Sequence, residues 1–105
     1  MAKLSTHVLD TSHGRPAAGM RVQVYNEQRR LLHEAATNAD GRVGDPIDVP
    51  IGVYDLVFGV GEYFGSQGTP FLGEVIVRFG IEDPAAKYHV PLLVSPYGYT
   101  TYRGS

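Results

Sequence analysis

Glycine and proline recur along this chain, 13 Gly and 7 Pro in 105 residues, and cut most of it into short pieces in which apolar and polar side chains alternate. Alternation with a period of two is the mark of a half-buried strand, whereas an amphipathic helix repeats its apolar residues three and four apart. The chain therefore reads as all-β, a set of short strands joined by turns. Leu4, Thr6 and Val8 share one face of a first strand, and Ser5, His7 and Leu9 share the other. Residues 10–19 read as a long turn, and Met20, Val22 and Val24 mark the buried face of a second strand.

Further along, a charged turn at residues 26–30 leads into a weaker strand over 31–37, followed by an Asp-Gly turn that leaves Arg42 at a loop tip or strand start. Residues 43–52, with Pro46 and Pro50, suit at most a short edge strand, because proline cannot donate to a sheet ladder. The clearest strand spans 53–60, with Tyr54, Leu56, Phe58 and Val60 in phase; one short helical turn is expected within 61–71. Val75, Val77 and Phe79 define the next strand, ending in a turn over 81–85. After it, Tyr88, Val90, Leu92 and Val94 face one way and His89, Leu93 and Ser95 the other, with Pro91 marking an edge or a bulge. Pro96, Tyr97 and Gly98 then turn the chain into a last strand.

At this length one domain, residues 1–105, is expected. An apolar share of 43% with 19% charged residues places the chain among folded proteins rather than disordered ones. Nine Lys plus Arg against 11 Asp plus Glu, a net charge of -2, offer no field for nucleic acid or an anionic membrane, so neither partner is expected. No apolar run approaches the roughly 20 residues of a membrane span, and the first ten residues carry no secretory h-region, so a cytoplasmic protein is expected. Zero cysteines exclude disulfides and thiolate chemistry.

His, Asp, Glu, Ser, Thr, Tyr, Lys and Arg are left to do any chemistry. His7 and His89 each lie opposite their apolar neighbours, so both point away from the core. Two imidazoles brought together could supply a general base and a general acid, since histidine titrates nearest working pH. Arg42 is a permanent cation on a loop, suited to hold a carboxylate, an enolate or a developing oxyanion. His13 and His33 read as surface residues without partners. No HExxH, EF-hand or His-x-His pattern occurs, so no metal site is expected, and neither a nucleophile elbow nor a phosphate-binding glycine loop is present.

Three segments resemble one known family. They are Thr-His-Val-Leu-Asp-Thr at residues 6–11 with Gly14, Pro16, Ala17 and Gly19; Thr-Asn-Ala-Asp-Gly-Arg at 37–42; and residues 89–105, ending in Tyr102, Arg103, Gly104 and Ser105. The pattern is similar to the 5-hydroxyisourate hydrolases of the transthyretin-like family, and the closing tetrapeptide is the feature that the hormone carrier transthyretin lacks. The resemblance implies a β-sandwich of two four-stranded antiparallel sheets with one short helix, assembled as a homotetramer whose dimers face each other across a channel. It implies hydrolysis of the lactam of 5-hydroxyisourate in urate breakdown, with no cofactor. His7, Arg42 and His89 would be catalytic, and Tyr102, Arg103, Gly104 and Ser105 would bind substrate beside His89. Which histidine is the base stays open. Two rival readings are a small-ligand carrier without chemistry and a plain immunoglobulin-like interaction domain.

Overall fold

The computed structural model describes residues 1–65 and 67–105. Eleven strands and one helix follow in order among the described residues. They are β1 (Ala2–Ser5), β2 (Val8–Asp10), β3 (Arg15–Pro16), β4 (Arg21–Asn26), β5 (Leu31–Ala36), β6 (Ile47–Val49), β7 (Gly52–Phe58), α1 (Val60–Phe64), β8 (Val75–Ile81), β9 (Lys87–His89), β10 (Leu92–Ser95) and β11 (Gly98–Thr101).

The alternation forecast which faces are buried. Along β1 and β2, Ala2, Leu4, Thr6, Val8 and Asp10 are all buried, while Ser5, His7 and Leu9 are half-buried on the other side. Met20, Val22 and Val24, then Tyr54, Leu56 and Phe58, then Tyr88, Val90, Leu92 and Val94 pack into one hydrophobic cluster with Leu4 and Val8. Each fully buried aliphatic or aromatic side chain of this kind contributes about 1.5–3 kcal/mol relative to its exposed state. β5 is exposed along most of its length, as its weak pattern implies, and β6 pairs only with β1, as a proline-flanked edge strand should.

Strand connectivity departs from the expected pair of four-stranded antiparallel sheets. One four-stranded sheet, β5-β4-β7-β8, is antiparallel throughout. The opposite layer is divided into a three-stranded sheet, β6-β1-β9, and a four-stranded sheet, β11-β10-β2-β3. Within it β1 runs parallel to β9 and β2 parallel to β10. The division falls at Thr6-His7 on one side and Val90-Pro91 on the other, and Pro91 has no N–H to continue the ladder. Three bonds carry the pairing across the gap: Val90 N–H to the Ser5 carbonyl at 2.9 Å, Leu92 N–H to the His7 carbonyl at 2.9 Å, and the buried Thr6 hydroxyl to the Val90 carbonyl at 2.6 Å. Pro91 thus sits at a break inside the layer, not on its outer edge.

The helical turn begins one residue before the expected span. It ends at Gly65, whose φ of 64° is the left-handed conformation that glycine adopts without strain, and whose N–H bonds the Gly61 carbonyl. Ser66, inside the span in which that turn was expected, lies outside the described residues.

Candidate active site

Two isolated backbone bridges assemble the residues that the sequence singled out. His7 pairs antiparallel with Arg42, and His89 pairs antiparallel with Gly104. Since Ser5 and His89 are direct partners in the parallel β1–β9 pair, all of these positions fall on one outward-facing stretch of the divided layer.

Arg42 reaches this place through the Asp-Gly turn. Asn38 builds it: its side-chain oxygen accepts from Asp40 N–H at 2.9 Å and Arg42 N–H at 3.1 Å, and its own N–H donates to the Arg42 carbonyl at 2.8 Å. Gly41, at φ 77°, lies against the Val8 carbonyl so closely that any Cβ would collide with it. Its own carbonyl accepts the Val8 N–H at 2.8 Å, which ties the turn to the strand following His7. A larger residue at Gly41 would push Arg42 away from His7.

His89 is held on several sides. Its Nδ1 lies 2.8 Å from the Ser5 hydroxyl. Its carbonyl accepts the Gly104 N–H at 2.7 Å, and a Cβ on Gly104 would come within 2.6 Å of the ring carbon Cδ2, so only glycine lets the closing segment lie this close. The Thr101 hydroxyl donates to the Pro91 carbonyl at 2.8 Å and anchors that segment. The His89 pKa is lowered from 6.5, first by partial burial, then by the Arg42 cation and by His7. The imidazole is therefore neutral at pH 7, the form that can accept a proton.

The closing tetrapeptide divides in its contacts. Gly104 packs on His89, but the Arg103 guanidinium stacks 4.2 Å over the Tyr88 ring and donates to the Lys87 carbonyl at 3.3 Å. Tyr102 and Ser105 are exposed. Beside Ser5 opens a cavity of about 330 Å3 lined by Lys3, Ser5, Asp45, Pro46 and Lys87.

Sequence reasoning passed over two residues. Ser5 stood on the same strand face as His7, two residues away, but its partner is 84 residues distant and local pattern does not reveal it. From the sequence His13 lacks partners, yet its Nδ1 lies 2.7 Å from the buried Asp10 carboxylate and its ring stacks on Phe64. His33 is exposed on β5. Among the described residues no group of three or more His, Asp or Glu side chains is arranged to hold a metal ion.

A family model described as HIUase/Transthyretin family matches residues 4–104. The chain belongs to this family. Within it, the chain is 49% identical to 5-hydroxyisourate hydrolase 2 of Rhizobium meliloti (strain 1021), an alignment covering 98% of this chain and 96% of the relative. Among solved structures, that of Klebsiella pneumoniae 5-hydroxyisourate hydrolase matches with a TM-score of 0.87 at 36% identity, covering all of this chain and 94% of the other. (S)-allantoin synthase matches with a TM-score of 0.89 at 42% identity over 99% of this chain, which spans only 44% of that protein. Sea bream transthyretin, solved in complex with thyroxine, matches with a TM-score of 0.86 at 29% identity over 96% of this chain and 93% of the other. Family members that differ in activity thus share this fold, and side chains must distinguish them.

Proposed function

We infer that this chain is an enzyme that hydrolyses 5-hydroxyisourate, a step of urate degradation, and that His7, Arg42 and His89 carry the reaction. The supporting observation is the pair of backbone bridges that sets His7 beside Arg42 and His89 beside Gly104 on one outward face. Hydrolase relatives matched over nearly their whole length agree with it, and the likeness to a thyroxine-binding transthyretin is weaker in sequence.

The chemistry follows from the protonation states. Neutral His89 takes a proton from water as the hydroxide oxygen bonds to the lactam carbonyl carbon of the ring. Arg42 holds the negative charge that gathers on the substrate oxygen, a role for which a fixed guanidinium is suited. The ring carbon–nitrogen bond then breaks, the nitrogen takes up a proton, and 2-oxo-4-hydroxy-4-carboxy-5-ureidoimidazoline results. The proton is the one that His89 took from water, and His7 orients that water. Acid–base help of this kind accelerates a reaction by about 10²–10⁴-fold.

The site lies on a half-exposed sheet face, and β11 beside it is an edge strand with Tyr99 47% exposed and, just beyond it, Tyr102 57% exposed. We propose a homotetramer in which a second copy covers this face and brings Tyr102, Arg103 and Ser105 into contact with substrate. The domain is taken as residues 1–105 and its compartment as the cytoplasm. No helix among the described residues is long and apolar enough to cross a membrane.

The deciding experiment is turnover of freshly generated 5-hydroxyisourate, followed by ultraviolet absorbance against its spontaneous decay. Acceleration proportional to protein concentration supports the hydrolase. Binding of an aromatic ligand with no acceleration would favour the carrier reading instead.

A further inference from the structure

Ser5 contributes to the site in a way that neither histidine pattern nor family resemblance assigns. Its hydroxyl lies 2.8 Å from His89 Nδ1, and both groups are part-buried. The contact is not a chance of two mobile side chains. Ser5 and His89 are register partners in the parallel β1–β9 pair, and on either side of Thr6 the Ser5 carbonyl and the Thr6 hydroxyl clamp the residue after His89 at 2.9 and 2.6 Å. Gly104 closes against Cδ2. Turning the ring over would place a carbon at the Ser5 hydroxyl and abandon the hydrogen bond, so one ring orientation is held, with Nδ1 at the Ser5 hydroxyl.

Resting on the hydrolase reading, we propose that Ser5 is a positioning residue that accepts a hydrogen bond from His89 Nδ1–H and so leaves Nε2 unprotonated to receive the proton of the attacking water. The hydrogen bond made by one imidazole nitrogen sets the tautomer of the other. Proton accounting is closed: water loses a proton to Nε2 as its oxygen bonds to carbon, and the imidazolium, still donating from Nδ1 to Ser5, returns that proton to the ring nitrogen that leaves. Ser5 neither gains nor loses a proton and forms no covalent bond. A hydroxyl suits this task because it orients the ring without the negative charge that would favour the imidazolium. Partial burial and the nearby Arg42 and His7 act in the same direction by keeping the ring neutral.

The test compares Ser5→Ala, Ser5→Thr and His89→Gln with the full-length parent, by steady-state hydrolysis and by nitrogen-15 NMR of the histidine rings. The parent should show His89 protonated at Nδ1 and bare at Nε2. Ser5→Ala should lose that tautomer preference and lower kcat by roughly 10- to 100-fold, the size of loss seen when a partner that orients a metal-bound imidazole is removed, with KM nearly unchanged. Ser5→Thr, which keeps the hydroxyl, should restore both. A parent bare at Nδ1, or a Ser5→Ala protein with parental kcat, overturns the role of Ser5. A parent with no turnover, or a fully active His89→Gln protein, overturns the hydrolase reading at this site and the proposal with it, so the two failures are distinguishable.

Discussion

His89 and His13 each present Nδ1 to an oxygen, at 2.8 and 2.7 Å, but the two oxygens differ in chemistry. His89 meets a serine hydroxyl and has Arg42 and His7 for neighbours; His13 meets the carboxylate of Asp10. Burial alone would raise the Asp10 pKa, yet hydrogen bonds from the Ser12 hydroxyl, the His13 ring, the Tyr63 hydroxyl and the His13 backbone outweigh it and bring it to about 2. Asp10 also accepts the Ser12 N–H and thereby closes the turn after β2. Two cavities of about 590 and 580 Å3 flank His13, both larger than the one beside Ser5. Cavity size therefore does not single out the proposed site. A carboxylate that is fully bonded organises a loop, whereas a neutral imidazole between a hydroxyl and a cation is placed to move a proton.

The largest effect expected from this contrast is on turnover. His89→Gln should lower kcat/KM by about 10²–10⁴-fold, with the thermal midpoint changed little because the side chain lies outside the core. His13→Gln should retain parental activity. Steady-state assays with melting curves decide the matter, and a reversed ranking would break the comparison outright.

Arg42→Gln should cost about 10²–10³-fold, the loss typical of removing one group that stabilises an oxyanion. It should also move the acid limb of the pH–rate profile. In the proposed mechanism the working His89 is neutral, and its pKa is lowered from 6.5, so activity should persist somewhat below that pH and fall as the ring is protonated. Charged or titratable groups facing it are Arg42 and His7. Removing the cation raises the pKa, so the limb should shift to higher pH; a shift to lower pH would contradict the arrangement.

A smaller effect belongs to the loop. Asp10 is fully buried, and a fall in its pKa from 3.8 to about 2 corresponds to roughly 2 kcal/mol of stability. The sign is that of a depressed acid: the contribution is complete above pH 3.8 and is lost as pH falls through about 2. Asp10→Asn should reduce stability by about that amount at pH 7 and flatten the acid limb of a denaturation series. Equal acid sensitivity in the two proteins would show that Asp10 does not carry it.

The smallest effect is reserved for His13→Ala, which removes one exposed partner of Asp10 while Ser12 and Tyr63 remain. Its cost should stay under about 1 kcal/mol in chemical denaturation. A loss as large as that of Asp10→Asn would mean that the His13 ring, rather than the turn, is what Asp10 serves.

The alternation Ala2, Leu4, Thr6, Val8, Asp10 and its counterpart Tyr88, Val90, Leu92, Val94 made the buried faces readable from the chain, and hence the outward direction of His7 and His89. The Asp-Gly turn likewise announced where Arg42 would stand. These features are local, since side-chain direction along a strand follows from backbone geometry over a few residues. The parallel pairing of β1 with β9, the break at Pro91, the seating of Gly104 on His89 and the diversion of Arg103 to Tyr88 were not readable in that way. Neither was the choice of a hydroxyl for His89 and a carboxylate for His13. Each depends on which distant segment returns to lie alongside, 84 residues away in the case of Ser5 and His89. The sequence by itself determined which side chains face outward; the tertiary structure alone decided which of them meet, because pairing is settled by the packing of the whole core rather than by any strand's own pattern.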